Sequence, residues 1–190
     1  MNSAIKLGLV IGVFSAGSVF AADGAGTVQR DVNQQTRIEQ GLKSGELNTR
    51  EAAKLEKEEA HVDHMQAKDM KDGSLSPAEK AKLAAAQNKV SKDIYSEKHD
   101  AQTGNPNSAS SKRMQADVQR NVNQETRIEQ GVKSGSLSAG ETAKLERGQA
   151  HVDRKEARAG ADGHVGAHEQ ASVQRTENRQ SRRIFRKKHN

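Results

Sequence analysis

At 190 residues and a net charge of +6, the chain holds 32% hydrophobic residues, 2% aromatic residues and no cysteine. The apolar share falls below the roughly 45–50% of ordinary globular domains, so a thick single core is not expected, and disulfides and cysteine nucleophiles are excluded. Val, Ile, Thr, Tyr and Phe are sparse and do not alternate, which gives a β-sheet no support. There remain thin helical hairpins sealed by Ala, Leu, Val and Ile, partial disorder, or burial shared with a partner.

The N-terminus reads as an export signal. Lys6 precedes an apolar run, Leu7 to Phe20, that ends at Ala21-Ala22-Asp23 with small residues at Val19 and Ala21. Cleavage is expected after Ala21 or Ala22, so residues 1–22 are assigned to a removed signal peptide. The run is shorter than the ~20 residues a spanning helix needs. No Cys follows for lipid attachment, so the mature chain is expected to be periplasmic or secreted.

Residues 23–27 read as a flexible lead-in, and from Val28 an internal repeat governs the chain. Val28-Gln-Arg-Asp-Val-Asn-Gln-Gln-Thr-Arg-Ile-Glu-Gln-Gly41 returns as Val118-Gln-Arg-Asn-Val-Asn-Gln-Glu-Thr-Arg-Ile-Glu-Gln-Gly131. Roughly two positions in three are identical between residues 28–63 and 118–153. Val28, Val32, Ile38 and Leu42 have helical spacing, and Gly41 and Gly45 bracket a stop with Ser44-Gly45 as the turn. Asn48 or Thr49 caps a second helix with Glu51 closing a capping box, and Ala52, Leu55, Val62 and Met65 carry that helix to about Met70. After Lys71-Asp-Gly-Ser74, Ser76 caps a third helix with Pro77 at its first position and Glu79 three residues beyond the cap. Leu83, Val90 and Ile94 continue an apolar seam to about His99.

The predicted fold is all-α: two tandem repeats, each a three-helix antiparallel bundle or hairpin with Gly-containing turns. The first spans 28–100 and the second 117–190. A polar Gly/Pro/Ser/Asn linker over 101–116 joins them. The second repeat turns again at Ala161-Asp-Gly-His-Val165, and its basic last helix holds Val173, Ile184 and Phe185.

Each turn resembles the second half of an EF-hand calcium loop, with Asp72-Gly-Ser-Leu-Ser-Pro-Ala-Glu79 the nearest match. The likeness covers four short segments ending at Glu51, Glu79, Glu141 and Glu169. The first and third ligand positions hold Gln40 and Leu42, Lys68 and Met70, Gln130 and Val132, and Arg158 and Gly160, where a hard cation wants oxygens. Gly as the bend, Leu as a plug and Glu as the cap of the next helix explain the same residues without an ion. Any surviving calcium site would use Asp69, Asp72, Ser76 and Glu79, and calcium is the one cofactor this reading allows.

His61 and His64, spaced i,i+3 beside Asp63 and Met65, form the candidate transition-metal pair, with no third ligand fixed by spacing. His164 and His168 would share a face only if their helix began early, against Gly163 and Gly166. Residues 23–100 carry a net charge of −2 and residues 101–190 one of +7. The excess sits in Arg175, Arg179, Arg182, Arg183, Arg186, Lys187 and Lys188. At ~100° per residue, Arg175, Arg179, Arg182 and Arg186 form one outward stripe opposite the Val173–Ile184 seam. Such a face suits an anionic surface such as lipopolysaccharide phosphate or an acidic partner. The lack of stacking aromatics and the export signal argue against nucleic acid.

No Gly-x-Ser-x-Gly elbow, His-Glu-x-x-His or phosphate-cradling Gly loop is present, and Glu58-Glu59 is expected on an exposed helix face without a pocket to raise a pKa. The chain is read as non-enzymatic. Arg-Ile-Glu-Gln-Gly, Ser-Gly-x-Leu, Asp-Gly-x-Leu-Ser and Ile94-Tyr…Lys98-His-Asp100 together resemble a family of small exported proteobacterial helical-repeat proteins with degenerate EF-hand-like turns. That resemblance covers nearly all the mature chain and implies export and helical repeats, but no activity. Exported helical chaperones with Leu-Thr-x-x-Gln motifs are loosely similar in composition, though Leu-Ser-x-x-Glu stands in that place here. Two function classes follow: an exported interaction or structural protein holding an unknown envelope partner, and a metal-binding module working through the turns or the histidines.

Overall fold

The computed structural model describes the backbone of residues 16–189 and the side chains of 24–189. Residues 1–15 of the expected signal segment lie outside the described residues, and 16–22 contribute helical backbone alone. Among the described residues six helices form: α1 (Ala16–Ser44), α2 (Thr49–Asp69), α3 (Pro77–Lys98), α4 (Ala109–Lys133), α5 (Ala139–Ala159) and α6 (Ala167–Lys188), with a short 3-10 turn at Met70–Asp72. The described residues contain no strand, so the all-α expectation holds. Among them no helix is long and apolar enough to cross a membrane.

Local chemistry sets the helix starts. The Asn48 side chain accepts from the Arg50 and Glu51 amides, and Glu51 Oε2 accepts from the Asn48 amide (2.9 Å), so one exchange satisfies several orphan donors. Ser76 with Glu79 and Ser138 with Glu141 repeat the arrangement. At α6 the cap is Gly166, which has no side chain, so only the Glu169 half forms (2.8 Å).

The first turn closes where Gly45 takes φ +83°, a left-handed conformation that favours glycine. Leu47 N–H then donates to the Gly41 carbonyl (3.0 Å), and its side chain lies on Gly41, where a Cβ would meet Leu47 Cδ1 at 2.6 Å. Gly41 is thus a helical landing surface rather than part of a stop. Leu137 lies on Gly131 in the same way.

Two expected boundaries change. The lead-in 23–27 is helical and belongs to α1, because Ala25 and Val28 are buried in an apolar cluster that holds this turn in place. Residues 109–116 of the expected linker are the first turns of α4: Ser108 caps it by accepting from the Ser111 amide (3.0 Å), and Met114 is fully buried. The rest of the linker is pinned to the first turn, since Gly104 N–H donates to the Gly45 carbonyl (2.8 Å) and packs so closely on the Leu47 carbonyl that a Cβ has no room.

The halves are also not separate bundles on a tether. α1 lies along α4 and α2 along α5 more extensively than any helix packs within its own half, and α3 and α6 flank this four-helix centre. Val28 shares a cluster with Ile128 and Val132, and Leu42 shares one with Met114 and Val118, so α1 and α4 run antiparallel. Ala53 approaches Gly160 while Met70 clusters with Ala139 and Ala143, so α2 and α5 do too.

Each apolar cluster draws on both halves. One joins Ile38, Leu42, Leu47 and Leu55 to Met114, Val118, Val165 and Val173, and the other joins Val28, Met70 and Leu75 to Ile128, Val132, Leu137, Leu145 and Ile184. With so few large apolar residues, neither half covers its own seam, and the other half supplies the missing surface. Contacts recur ninety positions apart. Arg30 Nη2 donates to Asn88 Oδ1 and Arg120 Nη2 to Asn178 Oδ1, each at 2.7 Å, and Gln34 and Gln124 each reach the backbone and a serine of the flanking helix.

Candidate cation site in a buried carboxylate band

Between the two apolar clusters the four central helices and the inner faces of the two flanking ones bury acids and amides. Asp31 on α1, Glu56, Glu59 and Asp63 on α2, Asp117 and Glu125 on α4, Glu146, Asp153 and Glu156 on α5, and Glu177 on α6 are each at most 2% exposed. Gln34, Gln35, Gln66, Gln87, Asn121, Gln124, Gln149 and Gln180 fill the space among them. On α2 these residues stand one helical step from Leu55 and Val62 and share the inward face, so antiparallel α5 seals them from water.

The band gathers two sets of ligand-capable oxygens. Asp31, Asp63 and Glu146 form one and Glu56, Asp153 and Glu156 the other, with one oxygen from each carboxylate within 4.8 Å of the rest of its set. Each set combines helices from both halves. Glu56 and Glu146 hold corresponding places in the two halves, as do Asp63 and Asp153. Asp31 corresponds to Asn121 and Gln66 to Glu156, with acid and amide exchanged. The hydrogen bond survives the exchange: Gln66 Nε2 donates to Asp31 Oδ2, and Asn121 Nδ2 donates to Glu156 Oε2 (2.7 Å).

The sets differ in how their oxygens are satisfied. In the second, the Asn121 amide also donates to Asp153 Oδ1 (3.1 Å) and approaches Glu56 Oε2 at 3.5 Å, which accepts from Gln35 Nε2 (3.0 Å). In the first, only Asp31 is well supplied, by Gln66 and by Gln87 Nε2 (2.7 Å). Among the described residues Glu146 has no hydrogen-bond partner on either oxygen, and neither do Glu125 beside it and Glu59 beside Asp31 and Asp63. A buried carboxylate left unpartnered is costly, so this set needs protons or a cation.

Burial drives the protonation chemistry. It raises Asp31 and Glu56 to about 7, against the pull of their amide donors. Glu59, Asp63, Glu125, Glu146, Asp153 and Glu156 are raised well above the ordinary carboxylate range, by burial first and mutual repulsion second. At the edge of the band, Asp117 rises to about 7 and Glu177 to about 8 by burial, although Arg120 Nε lies 3.2 Å from Glu177 Oε2. The expectation that Glu58-Glu59 lies on an exposed face fails at Glu59, which is 1% exposed, while Glu58 is half-buried and pairs with Lys89 (3.0 Å).

The calcium residues anticipated at the second turn are not gathered round a common point. Glu79 Oε2 accepts from the Ser76 amide (2.8 Å) and hydroxyl (2.6 Å), Asp72 Oδ1 accepts from the Ser74 amide (3.2 Å), and Asp69 lies half-buried at the end of α2. They serve as caps and turn braces. His61 and His64 are exposed and line a groove of about 560 Å³ with Lys57, Arg154 and Arg158, cations that oppose a metal ion there. Arg175, Arg179, Arg182, Arg183 and Arg186 are exposed as expected, whereas Lys187 and Lys188 are half-buried and Lys187 Nζ lies 3.3 Å from Glu141 Oε1. In a third acidic group, Glu51 accepts from the Asn48 amide, Glu97 pairs with Lys54, and Asp100 accepts from the Gln102 amide (2.7 Å).

Sequence reasoning missed the band because acids in a polar chain read as surface. The signal was present: in α2, Glu56, Glu59, Asp63 and Gln66 keep the spacing of a buried seam. No family model, curated protein or solved structure matches the chain.

Proposed function

We propose that this chain is an exported, non-enzymatic helical protein that binds hard cations in the carboxylate band between its apolar ends. The observation that carries the reading is the set Asp31, Asp63 and Glu146: convergent buried oxygens, with Glu146 unpartnered on both. All-carboxylate ligation without His or Cys selects hard, oxygen-seeking ions over copper or zinc. The bound ion supplies the positive charge that the buried acids otherwise obtain from protons.

Duplication of a three-helix unit supports this reading, since each set needs α2 and α5 from opposite copies. Cation ligation in this design doubles as a clamp between the copies. Burial of every ligand leaves a substrate no access, which favours binding or structural service over catalysis. The N-terminal pattern of residues 1–22 supports export. The exposed arginines of α6 support docking on an anionic envelope surface as a second role, checked by vesicle binding that weakens steeply with salt.

Calorimetric titration of chelator-treated protein with Ca²⁺, Mn²⁺ and La³⁺ at pH 7.5 tests the main reading. Saturable binding with proton release is expected. No heat and no rise in Tm with any of the three would refute it.

A further inference from the structure

The two sets have unequal appetites for charge. Resting on the cation reading above, we propose that the Asp31–Asp63–Glu146 set is selective for trivalent over divalent hard cations and takes up one such ion per chain. Its three carboxylates supply three negative charges at most 2% exposed. The amides that reach it, from Gln66 and Gln87, both serve Asp31 and carry no net charge.

Other elements packed around the set increase the demand. Glu59 on α2 and Glu125 on α4 add two more buried carboxylates with no partner on any oxygen. Arg30 acts on Asp31 and Arg154 on Asp63, but both effects are outweighed by burial, and among the described residues no lysine or arginine is buried in the band. A divalent ion leaves at least one ligand charge uncompensated and a trivalent ion leaves none. Attraction to each carboxylate scales with the ion's charge, so the third unit of charge counts once for every ligand.

Water exclusion narrows the class further. Three buried carboxylates offer up to six oxygens and little room for retained water, which disfavours Mg²⁺ and suits larger ions of flexible coordination, such as trivalent lanthanides. The second set makes the contrast within the same molecule. There the Asn121 amide is shared among three carboxylates and Gln35 adds another donor, so each acid of that set has one oxygen engaged and one open, whereas Glu146 in the first set has neither engaged, and the second set is expected to bind the ion less tightly.

The test is Tb³⁺ luminescence of the purified, chelator-treated chain at pH 7, excited directly and competed with La³⁺ or Ca²⁺. One tight Tb³⁺ per chain is expected, with the long decay of an ion stripped of most of its water. La³⁺ should displace it at comparable concentration, while Ca²⁺ should need at least about 100-fold more. Asp63→Asn and Glu146→Gln should each weaken Tb³⁺ binding at least about tenfold, and Glu79→Ala should leave it unchanged. Should either buried variant fail to fold, competition and decay on the unaltered chain decide the matter. Displacement by equimolar Ca²⁺ would overturn the trivalent preference while leaving the cation reading standing. A fully hydrated decay, or folded Asp63 and Glu146 variants with unchanged affinity, would overturn this site. Absence of binding by any cation of either charge would remove both.

Discussion

Raising the pH of the cation-free chain should weaken it, opposite to the usual behaviour of salt-bridged carboxylates. Asp31, Glu56 and Asp117 sit near 7 and Glu177 near 8 when folded, against ordinary values of 3.8 for Asp and 4.5 for Glu. Between about pH 4.5 and 7 the folded chain therefore holds more protons than the unfolded one, and stability falls with rising pH. Below the unfolded values the contribution is fully present, and it is lost as pH passes through the folded values. One extra proton gives a slope of about 1.4 kcal/mol per pH unit, and all four together about 5.5 kcal/mol per unit. Against a typical total of ~5–15 kcal/mol, the larger slope would leave the chain marginal at pH 7.5. Urea unfolding followed by circular dichroism at pH 5, 6 and 7 in chelator reads this directly. Saturating La³⁺ should reduce the slope by the share that Asp31 contributes, because the ion takes the place of that proton. Stability that stays level or rises between pH 5 and 7 in chelator would refute the reasoning.

Glu146→Gln should stabilise the cation-free chain at pH 7.5 by about 1–3 kcal/mol, since it replaces an unpartnered buried acid with a side chain that cannot ionise; a loss in urea melts would mean that Glu146 is already compensated. Leu47→Ala should cost about 2–5 kcal/mol by opening a cavity over Gly41 within a shared apolar cluster, measured by the same melts. Glu79→Ala should lower stability only slightly, as a lost cap, and leave calorimetric cation affinity unchanged, and a fall in affinity would return the turns to consideration.

How much was legible follows from how local each cause is. Helix starts at Thr49 and Pro77 were readable because Asn48, Glu51, Ser76 and Glu79 meet within one turn of chain. The plugs at Leu47 and Leu137 were readable for the same reason, although the role of Gly41 depended on where the Leu47 side chain falls. Ser110 and Ser111 read as linker, yet they are buried because Ser110 Oγ accepts the Val165 amide (2.8 Å) from the other end of its own half. Glu59 read as solvent-facing, and only the helix laid across it shows otherwise. The exchange of Asp31 and Gln66 for Asn121 and Glu156 is the trace of the band that comparison of the two halves could have supplied.

By itself the sequence determined the helical class and the capped starts at Thr49 and Pro77, because those depend on residues a few places apart. Only the tertiary structure decided that the halves interlock antiparallel and that their acids meet in a dry interior. A carboxylate's environment is set by whatever lies opposite it in space, and here that is a helix some ninety residues away along the chain.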